Sequence, residues 1–165
     1  DKLLNPETMD FIFSDENNVK LFMHYTKEKV VANKILDEGF EFAYSFYKTA
    51  EMVIKDKLDL SYKHNRHKQY GKYVIVLGIS KKIFDLYSKE IDKFKSTNIL
   101  VEQILTLKPP YLNDNSEEIY TLPPQYVKGY LNYSTGEIIE NPEYNPGFNS
   151  KRFLENISKF QNLFE

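Results

Sequence analysis

The sequence predicts a single α+β domain. Three observations point there: extended segments arrive in pairs rather than in strict alternation with helices, the helical stripes gather in the N-terminal half, and one β-branched run, Tyr73-Val74-Ile75-Val76-Leu77-Gly78-Ile79, has the composition of a buried central strand. The chain has 165 residues, 41% apolar and 28% charged. A chain of this length can hide about 68–70% of its unfolded surface, enough for a real core. That core has to suffice, because the absence of cysteine removes disulfides, thiolate nucleophiles and cysteine zinc sites together.

Taken in order, residues 1–19 form a lead-in with Pro6 and an apolar patch at Met9, Phe11 and Phe13, suited to a short docking helix. Lys20 to Tyr25 reads as a strand, and Thr26 follows where a hydroxyl can cap a helix. Val31 and Ile35 give that helix its stripe, Gly39 stops it, and Phe40 to Ala43 is extended again. The spacing of Ala50, Val53, Ile54 and Leu58 predicts a helix from about Tyr47 to Leu60, followed by a basic loop between Tyr62 and Gly71. After the central run comes a helix around Ile83, Phe84, Leu86 and Ile91, then strands over Ile99–Leu107 and Glu118–Leu122, each closed by a Pro-Pro pair. Tyr126–Asn132 and Glu137–Ile139 flank Ser134-Thr135-Gly136 as a hairpin, and residues 149–165 carry Phe153, Ile157, Phe160 and Phe164 at helical spacing for docking on the sheet.

Composition narrows the function before any motif does. A net charge of −2 gives no global pull towards nucleic acid or a membrane surface. No apolar run approaches a membrane span and the first thirty residues show no signal-peptide pattern, so a soluble, cytoplasmic chain is expected. Thirteen Tyr and twelve Phe suit a β-rich core or a cleft that stacks flat ligands. There is no glycine-rich phosphate loop, no Gly-x-Ser-x-Gly elbow and no His-Glu-x-x-His; His64 and His67 share a polar loop without a nearby carboxylate, and no metal site is expected.

His24 stands apart, near the end of an apolar strand and directly before a helix. The order that follows it is informative: Ile35-Leu36-Asp37-Glu38-Gly39-Phe40, then Phe42-Ala43, four residues, Lys48-Thr49-Ala50, the apolar strand Val74 to Gly78, and Glu118-Ile119-Tyr120. This order resembles the ADP-ribosyltransferase family, in the histidine branch that includes poly(ADP-ribose) polymerases and diphtheria toxin, over roughly Leu21 to Leu131. His24-Tyr25-Thr26 stands where that branch carries His-Gly-Thr or His-Gly-Ser, and Lys48-Thr49-Ala50 where it carries Lys-Ser-Ala. The resemblance implies two packed, mainly antiparallel sheets with flanking helices, and NAD as substrate.

The roles it implies are specific. Glu118, or Glu117 beside it, stabilises positive charge developing on the ribose as the bond to nicotinamide breaks; Glu118 is preferred because apolar residues follow it. His24 positions NAD through a ribose hydroxyl. Tyr25, through its backbone, Thr26 and Thr49 hold the carboxamide or a ribose oxygen, and Phe42, Tyr44 and Tyr47 line the nicotinamide site. Tyr25 replaces the family's glycine, and the family's stacking tyrosine falls near Met52, which leaves Tyr44 or Tyr47 to stack.

The twenty lysines and two arginines, Arg66 and Arg152, discriminate within the family. The branch resembling cholera and clostridial toxins needs an Arg on the first strand, and transferases that remove a 2′-phosphate from RNA need several. Neither fits. Lys63, Arg66 and Lys68 could hold a macromolecular acceptor, protein or RNA/DNA, by phosphate contact. The expected activity is mono-ADP-ribosyl transfer, and small transferases of this order suggest a bacterial or phage toxin or defence role. The alternatives are a catalytically silent binding module of the same fold and a plain protein-interaction domain.

Overall fold

Two antiparallel sheets face one another in the computed structural model, which describes residues 5–43, 46–55, 68–90, 105–106 and 108–148. The elements run α1 (Pro6–Phe13), β1 (Val19–Thr26), α2 (Lys29–Glu38), β2 (Phe40–Ala43), α3 (Phe46–Thr49), β3 (Glu51–Val53), β4 (Tyr73–Ser80), α4 (Lys81–Glu90), β5 (Tyr111–Leu112), β6 (Glu118–Leu122), β7 (Val127–Asn132) and β8 (Ile138–Glu140), with a 3₁₀ turn at Pro124–Tyr126. Sheet A has the order β3-β1-β4-β7-β8 and sheet B the order β2-β6-β5. The α+β expectation therefore holds, with every paired strand antiparallel.

Strand β4 occupies the centre of sheet A, between β1 and β7. Its residues from Tyr73 to Ile79 are all buried, as a near-continuous apolar run requires when both faces are covered. Alternation along β1 then sorts the core into two. Phe22, with Ile75, Leu77 and Ile79 of β4, faces sheet B and packs with Phe40, Phe42 and Phe46. Val19, Leu21, Met23 and Tyr25 face the other way, onto Phe11, Ile12 and Phe13 of α1.

Helix α1 starts where Asn5 accepts the Thr8 N–H at 2.9 Å, ahead of Pro6 at the first helical position. Its C-terminal end is fastened to β7 by Lys128, a buried lysine whose Nζ donates to Asp15 at 2.8 Å, Ser14 at 3.0 Å and the Ile12 carbonyl at 3.3 Å. Tyr144 donates to the other Asp15 oxygen at 2.8 Å. A lysine is tolerated in such a place only when paired and hydrogen-bonded in this way.

Two local expectations are corrected. Over its described part, residues 47–55, the helix expected from Tyr47 to Leu60 is replaced by the end of the four-residue α3 and by β3, which pairs Met52 with Phe22 and Val53 with Leu21; residues 56–60 lie outside the described residues. Ala50, Val53 and Ile54 have helical spacing, but the edge of β1 offers a row of backbone partners, and pairing satisfies them where a helix could not. The N-cap expected at Thr26 is also displaced. Thr26 still belongs to β1, opposite Tyr73, so the helix begins after Glu28, and the Thr26 hydroxyl takes the Glu28 N–H at 3.5 Å.

The short helix expected within the lead-in 1–19 is α1, and other boundaries agree closely: β1, β2, β4, β6 and the β7–β8 hairpin lie within a residue or two of their expected ranges. Gly39 closes α2 at φ 102°, and Gly71, at φ 129°, packs so tightly that a Cβ there would overlap the Thr26 carbonyl. Most of the strand expected over Ile99–Leu107, and the C-terminal segment 149–165, lie outside the described residues. Among the described residues no helix is long and apolar enough to cross a membrane.

Candidate functional site

Sheet B turns one face towards sheet A. Register pairs Phe40 with Leu122 and Phe42 with Tyr120, and directly opposed residues share a face, so Phe40, Phe42, Tyr120, Leu122 and, two residues before Tyr120, Glu118 line that inner surface. His24 lies on the inner face of sheet A by the same alternation, opposite Ile75. Its ring sits 4.9 Å from that of Phe40. Imidazole and carboxylate thus belong to one inter-sheet surface. From Leu122, opposite the ring that touches His24, to Glu118 is four strand residues, or about 13 Å at the rise of an extended chain. That is too far for direct proton transfer, and suits two points of attachment on one long ligand.

Helix α3 fixes both ends of this surface. At one end the Thr49 carbonyl lies 2.6 Å from His24 Nδ1. A carbonyl only accepts, so Nδ1 carries the proton and Nε2 is left as the acceptor. Burial pushes the His24 pKa down, against a smaller upward pull from the Thr49 carbonyl, which keeps the ring neutral. At the other end Phe46, fully buried, packs edge-on against Phe42 (centroids 5.5 Å, 69°), and Phe42 stacks on Tyr120 (5.6 Å, 21°). The Tyr120 hydroxyl donates to Glu118 Oε2 at 3.0 Å. Four residues of helix therefore place a neutral base and an exposed carboxylate through one array of rings.

The comparisons are silent. No family model, curated protein or solved structure matches this chain.

Glu117 and Glu118 part company in the structure. Glu117 precedes β6, and its Oε1 accepts from Asn113 Nδ2 at 3.0 Å while its N–H donates to Asn113 Oδ1 at 3.0 Å, which ties it into the turn after β5. Tyr25 turns its ring to the outer face of sheet A, with its hydroxyl on the Met23 sulfur at 3.8 Å, so only its backbone could serve the cleft. The Tyr133 N–H donates to the Lys72 carbonyl at 2.7 Å, which sets the phase of the β4 ladder and directs the Tyr25 N–H and C=O away from β4, towards the side on which β3 begins opposite Met23.

Phe42 is only 3% exposed, with its ring engaged by Phe46 and Tyr120, so it forms the floor of the site and offers no open face for stacking. The Thr49 hydroxyl donates to the Phe46 carbonyl at 3.0 Å; what Thr49 gives the site is its own carbonyl. Thr26 shares the inner face two residues beyond His24, with its hydroxyl engaged by Glu28. Tyr44, Lys63 and Arg66, and the side chain of Tyr47, lie outside what the structure describes, whereas Lys68 is exposed in a single helical turn. Lys27 and Lys72, next to the Thr26–Tyr73 pair, are exposed, and Lys72, one residue before the inner-facing Tyr73 and across from Tyr133, falls by alternation on the outer face of sheet A, away from His24.

Sequence reasoning missed Tyr120 and Phe40. The signal for Tyr120 was available, because a residue two positions after a strand-opening Glu must share its face. A cavity of about 580 Å³ lies elsewhere, on the outer face of sheet B, among Asp37, Glu38, Glu41, Lys108 and Tyr111. Three carboxylates against one lysine make it a poor host for a pyrophosphate. The inter-sheet surface remains the better candidate for a dinucleotide.

Proposed function

We propose that this chain is an ADP-ribosyltransferase of the histidine branch, which cleaves NAD on the inter-sheet surface and passes ADP-ribose to a macromolecular acceptor. One observation carries the reading: a neutral imidazole with Nε2 as acceptor and a carboxylate share one inner surface, both held through α3. The sheet arrangement supports it as well, since two antiparallel sheets with flanking helices are consistent with what the resemblance implies.

In this reading His24 Nε2 accepts a hydrogen bond from a ribose hydroxyl and positions the dinucleotide. The bond between the anomeric carbon and the nicotinamide nitrogen breaks with its electron pair leaving on nitrogen. Positive charge grows on the ribose, and Glu118, at the 2′-hydroxyl of that ribose, stabilises it electrostatically without a covalent bond. The acceptor's nucleophile then forms the new bond at the anomeric carbon and gives up its proton to solvent. Protein is the favoured acceptor class.

Nicotinamide release from NAD tests the proposal. The wild-type chain should release it, Glu118→Gln should fall by at least about a hundredfold while keeping its fold, and Glu117→Gln should stay close to wild type. Binding of NAD without release would leave a silent module, and neither binding nor release would leave an interaction domain.

A further inference from the structure

The carboxylate assigned to charge stabilisation is exposed and opens its strand, so nothing in its own backbone position fixes its rotamer. What meets it is a phenol. On one face of a strand, residues two apart lie about 7 Å from one another, which is the reach of a tyrosine hydroxyl laid along the strand. Tyr120 makes that reach, donating to Glu118 Oε2 at 3.0 Å. Its ring is in turn held by the buried Phe42 and, through it, by Phe46 of α3, the helix whose last carbonyl orients His24.

We propose that Tyr120 is a positioning residue for the transfer reaction: its hydroxyl holds one oxygen of Glu118 so that the other is presented to the ribose. This rests on the reading of Glu118 given above and extends it. The tyrosine never touches the reacting atoms; it acts by narrowing the carboxylate to one orientation on a rigid aromatic support. Because the orientation matters as charge develops, the effect falls on turnover rather than on NAD capture.

The test measures nicotinamide release, kcat against KM for NAD, and Tm in wild type, Tyr120→Phe, Glu118→Asp and the double variant. Tyr120→Phe keeps the stacked ring and removes only the hydroxyl. It should lose roughly tenfold in kcat, in line with a hydrogen bond to a charged group, with KM within about twofold and Tm unchanged. In Glu118→Asp the shortened acid no longer meets the hydroxyl, so adding Tyr120→Phe should cost little more. Wild-type kcat in Tyr120→Phe would overturn the proposal while leaving Glu118 in place. A tenfold further loss in the Glu118→Asp background, or a fallen Tm, would also overturn it by marking a structural role. Absence of nicotinamide release from the wild type would instead remove the reading of Glu118 and this inference with it.

Discussion

Acidification should expose the state of His24. Burial holds its pKa below the ordinary 6.5, with the Thr49 carbonyl offsetting only part of the shift, so the folded chain keeps the ring neutral where the unfolded chain begins to protonate it. The sign follows from proton counting: above pH 6.5 neither state binds the proton, and below it the unfolded state binds it first. Stability is therefore complete above 6.5 and declines as pH falls towards the folded pKa, with a limiting slope of about 1.4 kcal/mol per pH unit. Urea unfolding between pH 8 and pH 5, run on wild type and His24→Gln, isolates this term by difference, because the carboxylates and the other histidines are common to both. The wild type should lose stability relative to the variant as pH falls below 6.5. A difference that moves the other way would mean that the folded state binds the proton more tightly, and would refute the neutral, Nε2-accepting ring.

Two further outcomes follow from contacts. Thr49→Val should leave nicotinamide release within about threefold of wild type, because the backbone carbonyl rather than the hydroxyl holds His24; a loss as large as that of Glu118→Gln would contradict this. Asp15→Asn should cost about 3 kcal/mol in urea unfolding, since it leaves the buried Lys128 ammonium without its counter-charge, and a cost below 0.5 kcal/mol would show the pair to be incidental.

Much of the scaffold was legible in the sequence where one local pattern had a single solution. The run from Tyr73 to Ile79 could only be a strand covered on both faces, and Glu118 to Leu122, closed by Pro123-Pro124, had no alternative to an extended chain. Reading failed where tertiary pairing overrode local spacing. Residues 50–54 alternate as acceptably as they turn, and the open edge of β1 decided for the strand. Thr26 has the chemistry of a cap, yet its place in the β4 ladder moved the helix start to beyond Glu28.

The candidate site divides in the same way. His24 and Glu118 were marked by order along the chain, and strand alternation sets both on inner faces. Phe42 looked like a ligand-facing aromatic, but it is buried against Phe46 and stacks on Tyr120, so its ring became the support for Tyr120. The contribution of Thr49 comes from its backbone, which a side-chain motif does not reveal.

Titrating NAD calorimetrically into Glu118→Gln, which the proposal expects to bind the dinucleotide without turning it over, tests most directly whether the two facing sheets grip it. The account predicts one binding site per chain, weakened at least about tenfold by adding His24→Ala. Heats no larger than dilution, or a site indifferent to His24, would contradict it.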